Sequence, residues 1–150
     1  MPALLPDLDQ LLAFRHERAI QRFQRDFPAL ADQGEVLFAD VQRFLWLSRK
    51  HEFEQQARPG AEDLDFLLVM YEEMRDIDNM WHAFILYTKD YGEYCQRFYG
   101  EMMHHQPDVA TTRPQTPEQF QADLSKFLSY AYDNLGEAVV RRWFVDLIDP

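Results

Sequence analysis

The sequence predicts an all-α protein, a single compact domain (1–150) of about five to seven helices. Three observations carry that expectation. Apolar residues recur every three or four positions through most of the chain. Prolines and glycines, the usual helix terminators, fall between those stretches or at their ends, Gly92 excepted. The chain has 150 residues, 47% of them hydrophobic and 15% aromatic, which is about one domain's length with ample material for a core. That composition excludes the disordered class.

Taken in order, Leu8, Leu12, Ala19, Ile20, Phe23 and Phe27 form a stripe of helical period over about 6–27, ended by Pro28. His16 falls inside that stripe and reads as a hydrogen-bonded core residue. Arg15, Arg18, Arg22 and Arg25 share one side of the same stretch and read as a solvated flank, the alternative being an anion or partner site. Gly34 precedes a second helix, about 35–51, whose inner side is Leu37, Val41, Phe44, Leu45 and Ser48, widened by Trp46 and Leu47. Residues 52–63 read as a polar connection holding the turn pair Pro59-Gly60. The run LDFLLVMYEEM, ambiguous between strand and buried helix, is assigned helix because its surroundings are helical.

A third region begins near Asp76 or Asp78, either of which can cap a helix. It carries Met80, Trp81, Phe84, Ile85 and Tyr87. Thr88 can cap the next helix, with Tyr91, Tyr94, Cys95 and Phe98 inside and Gly100 as its left-handed end. Cys95 is thereby explained as a small buried hydrophobe. Residues 101–115 read as irregular, because Pro107 and Pro114 interrupt helix. Thr116-Pro117-Glu118 starts a helix with the stripe Phe120, Leu124, Phe127, Leu128 and Ala131, broken at Gly136. A last helix holds Val140, Trp143, Phe144 and Leu147.

Charge and cysteine content narrow the function classes. The 26 acidic residues against 15 basic give a net charge of −11, which repels phosphate backbones and anionic membranes and suits a basic protein partner. Cys95 is the only cysteine, so nothing requires an oxidising compartment. The start MPALLPDLDQ lacks a signal peptide's basic and apolar regions, and no apolar run approaches the roughly 20 residues that span a bilayer. The expectation is a soluble, cytoplasmic protein. It binds neither nucleic acid nor membrane, and its oligomeric state is not legible.

The candidate chemistry lies in DIDNMWHAFILYTKDYGEYCQRFYGEMMHHQP, residues 76–107. Asp78 and His82 are four apart, which puts them on one face of a helix. His104 and His105 follow where the backbone must leave the helix. Adjacent side chains diverge in regular backbone, so one of the pair is the better third ligand. Asp78, His82 and His104 or His105 supply two imidazoles and a carboxylate, a set that suits zinc, or Fe(II) with open positions. Glu73, Asp76 or Asp90 could add an oxygen. In the competing interpretation Asp78 caps the helix, His82 bonds a carbonyl and the histidine pair satisfies loop groups. Trp81, Tyr87, Tyr91 and Tyr94 would line a pocket beside the donors. There is no G-x-S-x-G, no phosphate-cradling glycine loop and no G-x-G-x-x-G, so no reaction is assigned.

The run Ile77-Asp78, Trp81-His82, Phe84-Ile85-Leu86, Thr88, Asp90-Tyr91, Tyr94-Cys95, Phe98, Gly100, His104-His105 and Pro107 resembles the signature of a small bacterial family without an assigned function. It is more loosely similar to the N-terminal region of plant glycine-rich-domain-containing proteins. The close match covers about 30 residues, with a faint echo at Trp143-Phe144. The resemblance implies that Asp78, Trp81, His82, Cys95, His104 and His105 act as one unit, and it implies no activity.

Two functional expectations follow. In one, the chain is a cytoplasmic metal-binding protein whose ligands are Asp78, His82 and His104 or His105, holding zinc or iron more weakly as pH falls. In the other, it is an acidic interaction or regulatory module for a basic partner, and the histidine block is structural.

Overall fold

The computed structural model describes residues 3–105 and 115–145. Among the described residues there are seven α-helices and no strand, as the apolar periodicity requires. They are α1 (Leu8–Leu12), α2 (Glu17–Asp26), α3 (Gly34–Ala57), α4 (Arg75–Ile85), α5 (Thr88–Tyr99), α6 (Pro117–Leu135) and α7 (Glu137–Trp143). Short 3-10 turns cover Pro28–Gln33, Glu62–Leu64 and Glu72–Met74. The chain divides into two compact units. The first is Met1–Trp46 with Arg75–His104, and the second is Leu47–Met74 with His105–Pro150.

The first unit packs around aromatic rings. Phe84 of α4 is fully buried and meets Phe14, Phe38, Tyr91 and Tyr94 at centroid distances of 6.3, 5.2, 5.1 and 5.1 Å. The expected single helix over 6–27 is two helices. The break falls at 13–16, where His16 is not mid-helix but caps α2. Its Nδ1 accepts from the Ala19 N–H at 3.1 Å, so Nε2 carries the proton and donates to Asp90 Oδ2 at 2.8 Å. That bond holds the Asp90 carboxyl below its usual range.

The arginine stripe is correspondingly divided. Arg15 precedes α2 and pairs with Glu17 and Glu35, while Arg18 lies 4.7 Å over the Tyr87 ring. Arg22 and Arg25 both reach Asp26, at 3.7 and 3.4 Å.

Leu37, Val41, Phe44, Leu45 and Leu47 of α3 are buried as expected, whereas Trp46 and Ser48 are half-buried, and the helix runs on to Ala57. The polar stretch 52–57 continues the helix because Glu, Gln and Ala are good helix formers. It stops ahead of Pro59, and Gly60 takes φ +78°. Polar residues that the apolar pattern does not announce are also buried: Asp40, Gln42, Arg49 and His51. Gln42 donates to the Phe14 carbonyl at 3.0 Å and accepts from the Tyr94 hydroxyl at 3.0 Å, which ties α3 to α5.

The second unit corrects the helix expected over 64–74, which is irregular between its two 3-10 turns. The carbonyls that would start a helix there are used by side chains. Leu64 O accepts from His51 Nε2 and Gln55 Nε2, each at 2.9 Å, and Asp65 O accepts from Lys126 Nζ at 3.3 Å. Phe66 lies 4.3 Å from His51 in a tilted pair, and Tyr71 packs 5.1 Å from Phe127. Burial pushes the Tyr71 hydroxyl up to about 12 and the His51 imidazole down. α6 begins as expected, with a reciprocal capping box between Thr116 and Gln119, and ends at Gly136. Leu124, Phe127 and Ala131 of its stripe are buried, whereas Phe120 is 43% exposed. Gln106, Pro107, Pro114 and Leu147 lie outside the described residues.

Candidate metal site

Asp78 and His82 sit one turn apart on α4. Neither Asp76 nor Asp78 caps that helix, because the 3-10 turn at Glu72–Met74 runs straight into it. Both acids lie in its first turn, where the helix dipole favours negative charge. Their neighbours on the buried face, Ile77, Met80, Trp81 and Phe84, fix which way the helix is rotated. That rotation leaves Asp78 half-buried and the His82 side chain 52% exposed, with His82 Nε2 3.9 Å from Asp78 Oδ1.

α5 leads to the third donor. Thr88 is its first residue rather than its cap, the cap position being Tyr87. Tyr91, Tyr94, Cys95, Phe98 and Tyr99 are buried, and Gly100 closes the helix with φ +74°. Residues 101–105 are irregular, as expected. A short relay anchors this loop. The Trp81 indole N–H donates to the Tyr91 hydroxyl at 3.1 Å, and that hydroxyl donates to the Met103 carbonyl. Desolvation raises the Tyr91 hydroxyl well above its ordinary range, so it stays protonated and remains a donor. Nothing in helical spacing announces Met103 or the ten-residue Trp81–Tyr91 pair. The aromatic types at 81 and 91 are the only trace of the relay in the sequence.

The relay also changes the role of the rings. Trp81, Tyr91 and Tyr94 form a packed, hydrogen-bonded wall rather than an open pocket. Tyr87 belongs elsewhere, with its ring 5.2 Å from His16 and its hydroxyl on the Arg18 carbonyl at 3.4 Å.

Asp78, His82 and His105 each offer one ligand atom, and these atoms all lie within 4.8 Å of one another. His104 is exposed and outside the group, as adjacent side chains that diverge require. Among the described residues, Glu73, Asp76 and Asp90 do not join it, and Asp90 is bonded to His16. Donors around a tetrahedral zinc with bonds near 2.1 Å stand roughly 3.4 Å apart. The three atoms would therefore close by at most about 1.4 Å, within reach of a rotamer adjustment at the half-exposed His82. Two imidazoles and one carboxylate suit zinc or ferrous iron and leave positions open.

The class defined so far is a helical protein with an Asp/His cluster at a helix face and the loop that follows α5. Residues 68–136 match the model of a family described as UCP032817-like. That stretch, under half of the chain, contains α4, α5 and all four candidate ligands, and its description names no activity. No curated protein and no solved structure matches the chain. No helix among the described residues is long and apolar enough to cross a membrane.

Proposed function

We propose that this protein binds a divalent metal, zinc or iron, through Asp78, His82 and His105. The convergence of three donor atoms within 4.8 Å, from a helix and from a loop, carries this reading. A carboxylate and two imidazoles would hold the ion, and its open positions would admit water or a substrate oxygen. Bound there, zinc or iron would supply Lewis acidity. His104 takes no part.

The test is elemental analysis and zinc titration of tag-free protein, beside Asp78→Ala/His82→Ala, His105→Ala and His104→Ala. Near-stoichiometric metal, lost in the first variant, held more weakly in the second and kept in the third, is the expected result. A wild type that takes up neither zinc nor anaerobic Fe(II) refutes it.

One observation favours a second reading. The relay through Trp81, Tyr91 and Met103 gives the aromatic part of the block a structural task without any metal. On that reading the chain is an acidic module for a basic partner. A chelator then leaves the melting temperature unchanged and His82→Ala lowers it.

A further inference from the structure

Tyr91 stands where the two halves of the candidate site are linked. Its hydroxyl is buried and has one proton to give and lone pairs to accept with. It accepts from Trp81, which lies on α4 between Asp78 and His82 in sequence. It donates to the carbonyl of Met103, which is 9% exposed and two residues ahead of His105. Two residues of chain reach at most about 7 Å, so fixing Met103 confines His105 to a small volume. Gly100 closes α5 in the left-handed conformation, and its φ of +74° suits glycine. The helix that carries two ligands and the loop that carries the third are thus joined through one hydroxyl.

We propose that Tyr91 is the positioning residue of this site: its hydroxyl holds the Met103 carbonyl so that the His105 imidazole meets Asp78 and His82. The proposal rests on the metal-binding reading above. Tyr91 touches no metal. It acts on the ligand loop as outer partners act on metal-bound histidines, where their loss typically costs about 10–100-fold in affinity. Tyr91→Phe keeps the ring and its packing against Phe84 and removes only the bridging oxygen.

The experiment is zinc affinity, measured by competition with a chromophoric chelator, for the wild type, Tyr91→Phe, His105→Ala and the double variant. The expected result is a loss of about tenfold or more in Tyr91→Phe. In the His105→Ala background, Tyr91→Phe should change nothing further, because the ligand it positions is gone. A general weakening of the fold would lower affinity in both backgrounds, and that outcome overturns the positioning role. Equal affinities of wild type and Tyr91→Phe overturn it too. A wild type that binds no zinc overturns the metal reading itself, which is a distinguishable failure. Should Tyr91→Phe not fold, Trp81→Phe takes its place, because it removes the donor that orients the Tyr91 hydroxyl and so loosens the Tyr91–Met103 bond. Its affinity loss should be smaller and should also vanish with His105→Ala. No loss in Trp81→Phe overturns the proposal.

Discussion

Replacing Phe84 with alanine removes the ring around which the first unit is packed. Phe84 is fully buried, and five rings surround it: Phe14, His16, Phe38, Tyr91 and Tyr94, at 5.1 to 6.3 Å. They come from four parts of the chain, the segment after α1, α3, α5 and the cap of α2. The cavity cannot close by shifting one side chain, since its walls come from four separate parts of the chain. Truncation of a buried phenylalanine costs about 3–5 kcal/mol, and the enclosure argues for about 4. Against a typical total of about 5–15 kcal/mol, that is a large fraction. At roughly 2–4 °C per kcal/mol for a chain of this size, the melting temperature should fall by about 8–16 °C. Urea denaturation measures it as a lowered midpoint at unchanged slope. A loss below about 1 kcal/mol would refute the claim that this cluster is the unit's core. The same variant tests cooperativity. α3 contributes residues to both units, so we expect the chain to unfold as one domain. Amide exchange in α6, in the second unit, should then accelerate by the same factor as in α4. Unchanged exchange in α6 would refute that expectation.

The remaining predictions concern single groups in the second unit. His51 is buried, donates to the Leu64 carbonyl and is held below the ordinary histidine range by desolvation. With the folded value depressed, the unfolded chain takes up the proton first. Stability is therefore unaffected above the unfolded value near 6.5, falls as pH drops through it, and levels off below the folded value. Denaturation midpoints between pH 7.5 and 5 should fall more steeply for the wild type than for His51→Gln, and parallel curves would contradict the assignment. Thr116→Ala removes a capping box whose two hydrogen bonds measure 3.0 and 3.1 Å, and should cost about 1 kcal/mol in a thermal melt.

Where the fold is legible in the sequence, the information is local. Thr116 with Pro117 and Gln119, and the glycines at 100 and 136, mark helix ends through interactions within a few residues of themselves. Where the structure departs from local pattern, distant partners are the cause. The break at 13–16 is stabilised when His16 turns its ring to the Ala19 N–H and to Asp90, 74 positions away. The stretch 64–74 loses its helix to donors on α3 and α6. The overrun of α3 to Ala57 has a different cause: the helix propensity of Glu, Gln and Ala outweighs the polarity of residues 52–57. The site divides the same way. Asp78 and His82 are readable as a one-turn pair on a helix. The approach of His105 rather than His104 is not, because a hydroxyl twelve residues before Met103 sets the loop.

The chain itself provides a comparison for deciding what its histidines do. His16 and His51 are structural by every physical criterion. The side chain of His16 is 11% exposed and bonded through both nitrogens, and His51 is 5% exposed, bonded to a carbonyl and packed against Phe66. Among the described residues, neither joins a carboxylate and a second imidazole in one group. The His82 side chain is 52% exposed, lies beside Asp78 and has His105 within 4.8 Å. Removing a half-exposed side chain from a helix costs about 0.5 kcal/mol or less unless it serves a ligand. His82→Ala should therefore melt with the wild type when both are metal-free. The two should separate when zinc is added, by about 2.7 kcal/mol at a hundredfold excess over the wild type's dissociation constant. Calorimetry with and without zinc reads both differences. A large loss in the metal-free state, with no further separation on adding zinc, would place His82 with His16 and His51 and return the block to a purely structural role.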